Sequence, residues 1–97
     1  MNGVTIMIEI IKDTNSFYVG EQDKRDAELH YDPIGKGIII VDHTFVSDRL
    51  RGQGVGQALV RRVVEFARKE GIKIMPLCPF TKSQFDRNKD YDDVLLK

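Results

Sequence analysis

Apolar and polar positions change rhythm several times along this chain, and each change predicts an element. Ile6-Met-Ile-Glu-Ile-Ile11 is rich in β-branched residues, Asp13-Thr14-Asn15 has turn chemistry, and Phe17-Tyr18-Val19 resumes as a strand, which together predict a hairpin. Asp26 to Tyr31 alternates polar and apolar residues, the pattern of a half-exposed third strand, and Asp32-Pro33-Ile34-Gly35 predicts a turn. From Gly37 to Val46 apolar residues fall on both parities, as in a central strand covered on both sides. The rhythm then lengthens. Val55, Leu59, Val63, Phe66 and Ala67 fall on one face of a helix predicted from about Gly52 to Glu70 and ended by Gly71. Arg61–Glu65 and Glu65–Lys69 are i, i+4 pairs on its solvated side. Ile72 to Cys78 predicts a fifth strand, and Thr81 to about Asn88 a short helix with Phe80 and Phe85 inward. Tyr91 to Leu96 is a terminal strand or irregular tail. The order ββββαβα gives an α/β fold of α+β type, a mixed and mainly antiparallel sheet with one βαβ step.

Composition narrows the function classes. Ninety-seven residues predict one domain, 1–97, with a modest core. Fifteen Lys and Arg against fifteen Asp and Glu give no net charge, so a generic nucleic-acid binder is not expected. No apolar run approaches about 18 residues, so no membrane partner is expected, and the first residues do not read as a signal peptide. One cysteine excludes an internal disulfide and fits a reducing, cytoplasmic setting.

The most informative segment is Val46-Ser-Asp-Arg-Leu-Arg51-Gly52-Gln53-Gly54-Val55-Gly56-Gln57, where a strand meets a helix through glycines. Glycines let backbone approach a ligand, and the free N–H groups and dipole of a first helical turn favour an anion. A Walker loop is excluded because no Lys follows Gly56. A dinucleotide fingerprint is excluded because Leu59 or Gln57 stands where its third glycine belongs. What remains is Arg51-x-x-Gly54-x-Gly56. It resembles the Arg/Gln-x-x-Gly-x-Gly/Ala signature of the GNAT superfamily, the acetyl-CoA-dependent N-acetyltransferases. Asp42-His43-Thr44 and Cys78-Pro79-Phe80 extend the likeness to a subfamily of very short acetyl-CoA-binding proteins.

The resemblance implies a minimal GNAT-like fold in which strands four and five diverge around the pantetheine arm of coenzyme A. Thr44, Phe45 and Val46 would offer backbone groups to pantetheine and the acetyl carbonyl. Arg51, Gly52, Gln53, Gly54, Val55, Gly56 and Gln57 would hold the pyrophosphate, with Phe80 beside the cofactor. Acetyl-CoA is the implied cosubstrate, an amine the implied acceptor, and no metal is required.

Two residues are candidates for chemistry. Cys78 precedes Pro79, a favoured first helical residue, so it sits near a helix start that lowers a thiol pKa. It reads either as an acyl-accepting or acyl-orienting thiol or as a small buried hydrophobe. His43 is either a general base or a hydrogen-bonded core histidine, and alternation puts it on the face of Ile39, Val41 and Phe45. His30 reads as a surface residue. The chain also departs from the family. Only Lys12 to Ser16 separate the first two strands, where larger members insert acceptor-binding helices. Thr81 to Asn88 lacks the tyrosine that many members place to protonate the leaving thiolate. An open-site acetyltransferase and a non-catalytic acetyl-CoA-binding or sensing module both fit.

Overall fold

A computed structural model describes residues 8–97. The predicted strand residues Ile6 and Met7 lie outside them. The hairpin forms with β1 at Ile11–Asp13 and β2 at Ser16–Glu21, joined by the two-residue turn Thr14–Asn15. β3 (Lys24–Pro33) and β4 (Ile38–Val46) continue the meander; β3 is longer at both ends than the alternation indicated, while β4 matches its expected span but for Gly37. β5 (Lys73–Pro76) lies parallel to β4, and the sheet order is β1-β2-β3-β4-β5.

The connection between β4 and β5 is the predicted helix, α1, but it begins at Val55 rather than Gly52 and runs to Glu70. A 3₁₀ turn at Asp48–Leu50 and the glycine turn fill the space before it. Val55, Leu59, Val63 and Ala67 are buried as the periodicity requires, and Val60 and Val64 widen the stripe. Each buried Val or Leu side chain contributes about 1.5–3 kcal/mol on leaving water. The chain reverses where Gly71 N–H bonds Arg68 O and Ile72 N–H bonds Ala67 O. The solvated face uses a different ion pair from those its spacing suggested. Arg68 reaches Asp93 at 2.8 Å, and the carboxylate lies below its usual pKa because of that bond.

α2 (Pro79–Arg87) starts with Pro79 at its first turn and Cys78 as N-cap. Phe85 is buried and stacks edge-on with Tyr91 at 5.7 Å between ring centroids. Tyr91 to Leu96 is neither strand nor tail. Lys89–Val94 forms a 3₁₀ helix, and Leu95 bridges to Ile74 in parallel.

Both helices share one core cluster with Phe17, Ala27, Leu29, Tyr31, Ile39 and Val41, so they cover one face of the sheet. At its edge, the Lys12 ammonium sits 5.1 Å from the Phe66 ring centroid and about as close to Phe17 and Tyr31. β4 is central, as predicted, but its second parity is only half-covered. Ile38 and Ile40 are half-buried on the outer face, over which no helix packs among the described residues.

Candidate functional site

The site begins with an irregularity in β4. Opposite β3, His30 pairs with His43 but Tyr31 pairs with Val41, so Asp42 is an extra residue. Such a bulge shifts side-chain parity along the strand. Before it, Ile39 and Val41 face the core. After it, Thr44 and Val46 take the inward positions opposite Leu29 and Ala27, while His43 and Phe45 turn out. The expectation that His43 shares a face with Ile39 and Val41 is therefore wrong, and so is the core-histidine reading: His43 is exposed, across from His30 on the outer face. Asp42 also lies there, with Oδ1 2.8 Å from His30 Nδ1. That hydrogen bond raises the His30 pKa above its ordinary value, against a smaller opposing effect of burial.

The ladder between β4 and β5 stops at Val41↔Pro76. Leu77 and Cys78 N–H groups both converge on Val41 O, at 3.0 and 3.1 Å, and the chain then turns away into α2. From Asp42 to Val46, β4 has lost its β5 neighbour. On the inner face this splay opens into a cleft of about 450 Å³. Thr44, Val46 and Leu50 form one wall, the glycine turn and first turn of α1 the floor, and Phe80 the opposite side.

The floor has the electrostatics of an anion site. Gly52 and Gly54 have φ of +80° and +77°, which turn the chain back into the helix. Gly54 is the N-cap and contributes no side-chain cap, and the first turn of α1 carries no acidic residue. The first intrahelical bond runs from Ala58 N–H to Gly54 O. The N–H groups of Val55, Gly56 and Gln57 are therefore donors without helical acceptors at the positive end of a 16-residue helix. Arg51 lines the same cleft, its Nε 3.3 Å from Asp48.

Gly56 answers to a different constraint. A Cβ built there would lie 2.8 Å from the tip of the Phe80 ring. The bare backbone at this position lets Phe80 lie across the start of α1. Two other expected residues stand apart from the cleft. The Gln53 side chain bonds back to Arg49 O at 3.1 Å. The Phe45 side chain is on the outer face, 43% exposed, leaving only its backbone on the cleft strand. Leu50, which lines the wall, was missed. It falls between two arginines, and only the 3₁₀ turn directs it inward.

Behind the Thr44 wall three side chains meet, and of these only Thr44 lines the cleft; the predicted Cys78 and its neighbour Thr81 are buried beside it. Cys78 Sγ lies 3.5 Å from Thr44 Oγ1, which in turn is 3.3 Å from Thr81 Oγ1. Cys78 is 8% exposed. Burial pushes its pKa up, but the Thr44 hydroxyl and the backbone N–H groups of Thr81 and Phe80 outweigh it and hold the thiol below its ordinary value. His43 is not part of this group. The one tyrosine past α2, Tyr91, is buried against Phe85.

A five-stranded, mainly antiparallel sheet whose central strand parts from its parallel neighbour beside an unneutralised helix start is a GNAT fold. The chain belongs to the GCN5-related N-acetyl-transferase family, whose model matches residues 16–94. It is 41% identical to a chain from Staphylococcus aureus described as GCN5-like. The solution NMR structure of that chain superposes with a TM-score of 0.78, covering 92% of this chain and 88% of that one. Protein NATD1 of Gallus gallus is 29% identical over 87 residues, 89% of this chain and 79% of its own length. A GNAT-family crystal structure from Desulfovibrio desulfuricans, 20% identical, shares the fold with a TM-score of 0.58 over 74% of this chain and 52% of that one. Among the described residues no helix is long and apolar enough to cross a membrane.

Proposed function

We propose that the chain binds acetyl-CoA in the β4–β5 splay and transfers the acetyl group to an amine. The observation that carries this reading is the row of N–H donors at Val55, Gly56 and Gln57, unanswered by any acidic residue and facing the cleft beside a strand edge that has lost its neighbour. The pyrophosphate fits the first feature as an anion at a helix start. The amide-bearing pantetheine fits the second as an added strand along Thr44–Val46. The thioester then falls near Thr44, Cys78 and Thr81. In the transfer, the acceptor nitrogen bonds to the acetyl carbon, the carbon–sulfur bond breaks, and the proton lost by the amine ends on the coenzyme A sulfur.

Cys78 has a specific part in this proposal. Either its thiolate takes the acetyl group first, forming a second thioester and releasing coenzyme A, or the thiol orients the acetyl carbonyl for direct attack. His43, exposed on the other face, is proposed only as a group the acceptor meets on approach. A non-catalytic binding module is favoured by one observation: Tyr91 is buried against Phe85 and offers no acid to the leaving thiolate.

Two measurements test the reading. Ligand at about 100 times its dissociation constant adds about 2.7 kcal/mol to the native state, which raises the melting midpoint of a chain this size by about 13 °C. An unchanged midpoint with acetyl-CoA, and no heat of binding, refutes the site. Intact mass after incubation with acetyl-CoA then separates the chemistries. One added acetyl group, lost in Cys78→Ala, supports the covalent path. Acetylation of an added amine that survives Cys78→Ala supports direct transfer, and neither product leaves the binding module.

A further inference from the structure

Behind the cleft wall lies a hydroxyl that local structure does not account for. Thr81 is the third residue of α2 and is wholly buried. A helical threonine commonly returns its hydroxyl to a carbonyl of the preceding turn. Thr81 instead reaches across to β4, where Thr44 Oγ1 lies 3.3 Å away, 37 positions back in the chain. A buried hydroxyl without a partner is costly, so this contact is what makes Thr81 tolerable in the core. Thr44 points inward because the extra residue Asp42 reverses the parity of β4. Its oxygen faces two neighbours, Thr81 Oγ1 and, at 3.5 Å, Cys78 Sγ. Thr44 also lines the cleft, whereas Cys78 and Thr81 stand behind it. A molecule in the cleft therefore meets the first member of this group at Thr44 Oγ1.

Counting protons assigns each hydroxyl its direction. While the sulfur keeps its proton, S–H donates to Thr44 Oγ1, and the Thr44 proton is left for Thr81 or for an acceptor in the cleft. Once the sulfur is ionised, the Thr44 proton is drawn to it, because a charged acceptor makes the stronger bond. The Thr44 oxygen then has only acceptor capacity left on its other side, and Thr81 is the hydroxyl placed to donate to it. The start of α2 adds to the same state. Its first intrahelical bond runs from Lys82 N–H to Cys78 O, so the N–H groups of Phe80 and Thr81 have no helical acceptor. Burial pushes the thiol pKa up, and the Thr44 hydroxyl with these amides brings it below its ordinary value.

We propose that Thr81 is a positioning residue of this site: its hydroxyl donates to Thr44 and so holds the Thr44 proton on the Cys78 sulfur whenever that sulfur is a thiolate. The acetyl-transfer reading supplies the use of the arrangement, but the order of the hydroxyls does not depend on it. In that use Thr81 never touches the thioester. It governs how much of Cys78 is thiolate, and whether the Thr44 proton faces the sulfur or the cleft.

Cys78 is the one cysteine of the chain, so thiolate absorbance, with Cys78→Ala as the blank, titrates it alone and needs no cofactor. Thr44→Val removes the direct donor and is expected to raise the titration midpoint by about one pH unit, a tenfold loss of thiolate at a given pH below it. Thr81→Val keeps the shape but not the proton. It should raise the midpoint by about 0.3–0.5, a two- to threefold loss, the scale on which one hydrogen bond polarises the next. Thr81→Ser should restore the wild-type midpoint. On top of Thr44→Val, Thr81→Val should move nothing further, since it acts through Thr44. A midpoint that ignores Thr81→Val, or an equal shift with and without the Thr44 hydroxyl, overturns the proposal. Should Thr81→Val fail to fold, Thr81→Ala against Thr81→Ser makes the same comparison. Calorimetry with acetyl-CoA on the wild-type chain keeps the two readings apart. A titration in the expected order beside no heat of binding upholds Thr81 and sinks the transfer reading, and binding beside an unmoved titration does the reverse.

Discussion

Replacing Gly56 by alanine sets two effects of known sign against each other. The residue lies in the first turn of α1 with ordinary helical geometry, so the added methyl favours the helix by up to about 1 kcal/mol. The same methyl would sit 2.8 Å from the Phe80 ring tip and 3.0 Å from the next carbon. Relieving that overlap means moving a half-buried ring, and forced repacking of this kind costs about 1–3 kcal/mol. The net expectation for Gly56→Ala is a loss of about 0–3 kcal/mol, which at its lower end would be misread as indifference. The informative experiment is the double-mutant cycle with Phe80→Ala. Without the ring, the alanine at position 56 keeps only its helical advantage, so Gly56→Ala should stabilise that background by up to about 1 kcal/mol. The cycle should yield a coupling of about 1–3 kcal/mol. Urea unfolding reads this well, because with a slope of about 1 kcal/mol/M each kcal/mol moves the midpoint by about 1 M. If Gly56→Ala changes stability equally in both backgrounds, within about 0.5 kcal/mol, Phe80 is not what this glycine accommodates, and the stated reason for it fails.

Gly54 should behave differently, since nothing lies near its missing side chain but its φ is +77°. Gly54→Ala is expected to cost about 1–2 kcal/mol in urea unfolding whatever residue stands at position 80, and a cost that vanishes with Phe80→Ala would refute the backbone explanation. The His30–Asp42 pair gives a pH signature. Because His30 is raised in the folded state, its contribution to stability is complete below the unfolded value of about 6.5 and disappears as pH climbs through the folded value. Denaturation midpoints should therefore fall across that window, and Asp42→Asn should flatten the fall; an identical profile in the variant would rule the pair out.

Much of this could be read from the residues because the physics involved is local. The period-3.6 stripe from Val55 to Ala67 needs no partner to be seen, and glycine spacing before it betrays a helix start reached through left-handed backbone. Pro79 likewise marks where α2 begins, which is enough to put Cys78 at its N-cap. The failures share a different cause. Alternation in β4 gives the wrong face for His43 because one extra residue, Asp42, is absorbed against β3, and a bulge is a property of two strands together. The His30–Asp42 pair and the Gly56–Phe80 contact join residues 12 and 24 positions apart, so nothing in either neighbourhood announces them. Leu50 was overlooked because a 3₁₀ turn has too few residues to show a period. The parting of β4 from β5 was expected only through family resemblance. Pro76, which has no N–H to give a ladder, was the one local sign of where that pairing ends.

Sheets that recruit an extra strand usually do so at their margin, and the same margin invites copies of the protein to stack. Here the margin beyond β5 is already occupied: Leu95 bridges Ile74, Leu96 N–H bonds Ile74 O, and Arg68 and Lys73 anchor Asp93 just before them. The vacancy lies inside the sheet, in a wedge with β4 on one side and the turn into α2 on the other. Anything that inserts there is walled in and presents no fresh row of amides to a third molecule. The architecture thus separates capture from polymerisation, so that even a concentrated solution should fill the wedge one guest at a time and not seed fibrils from it.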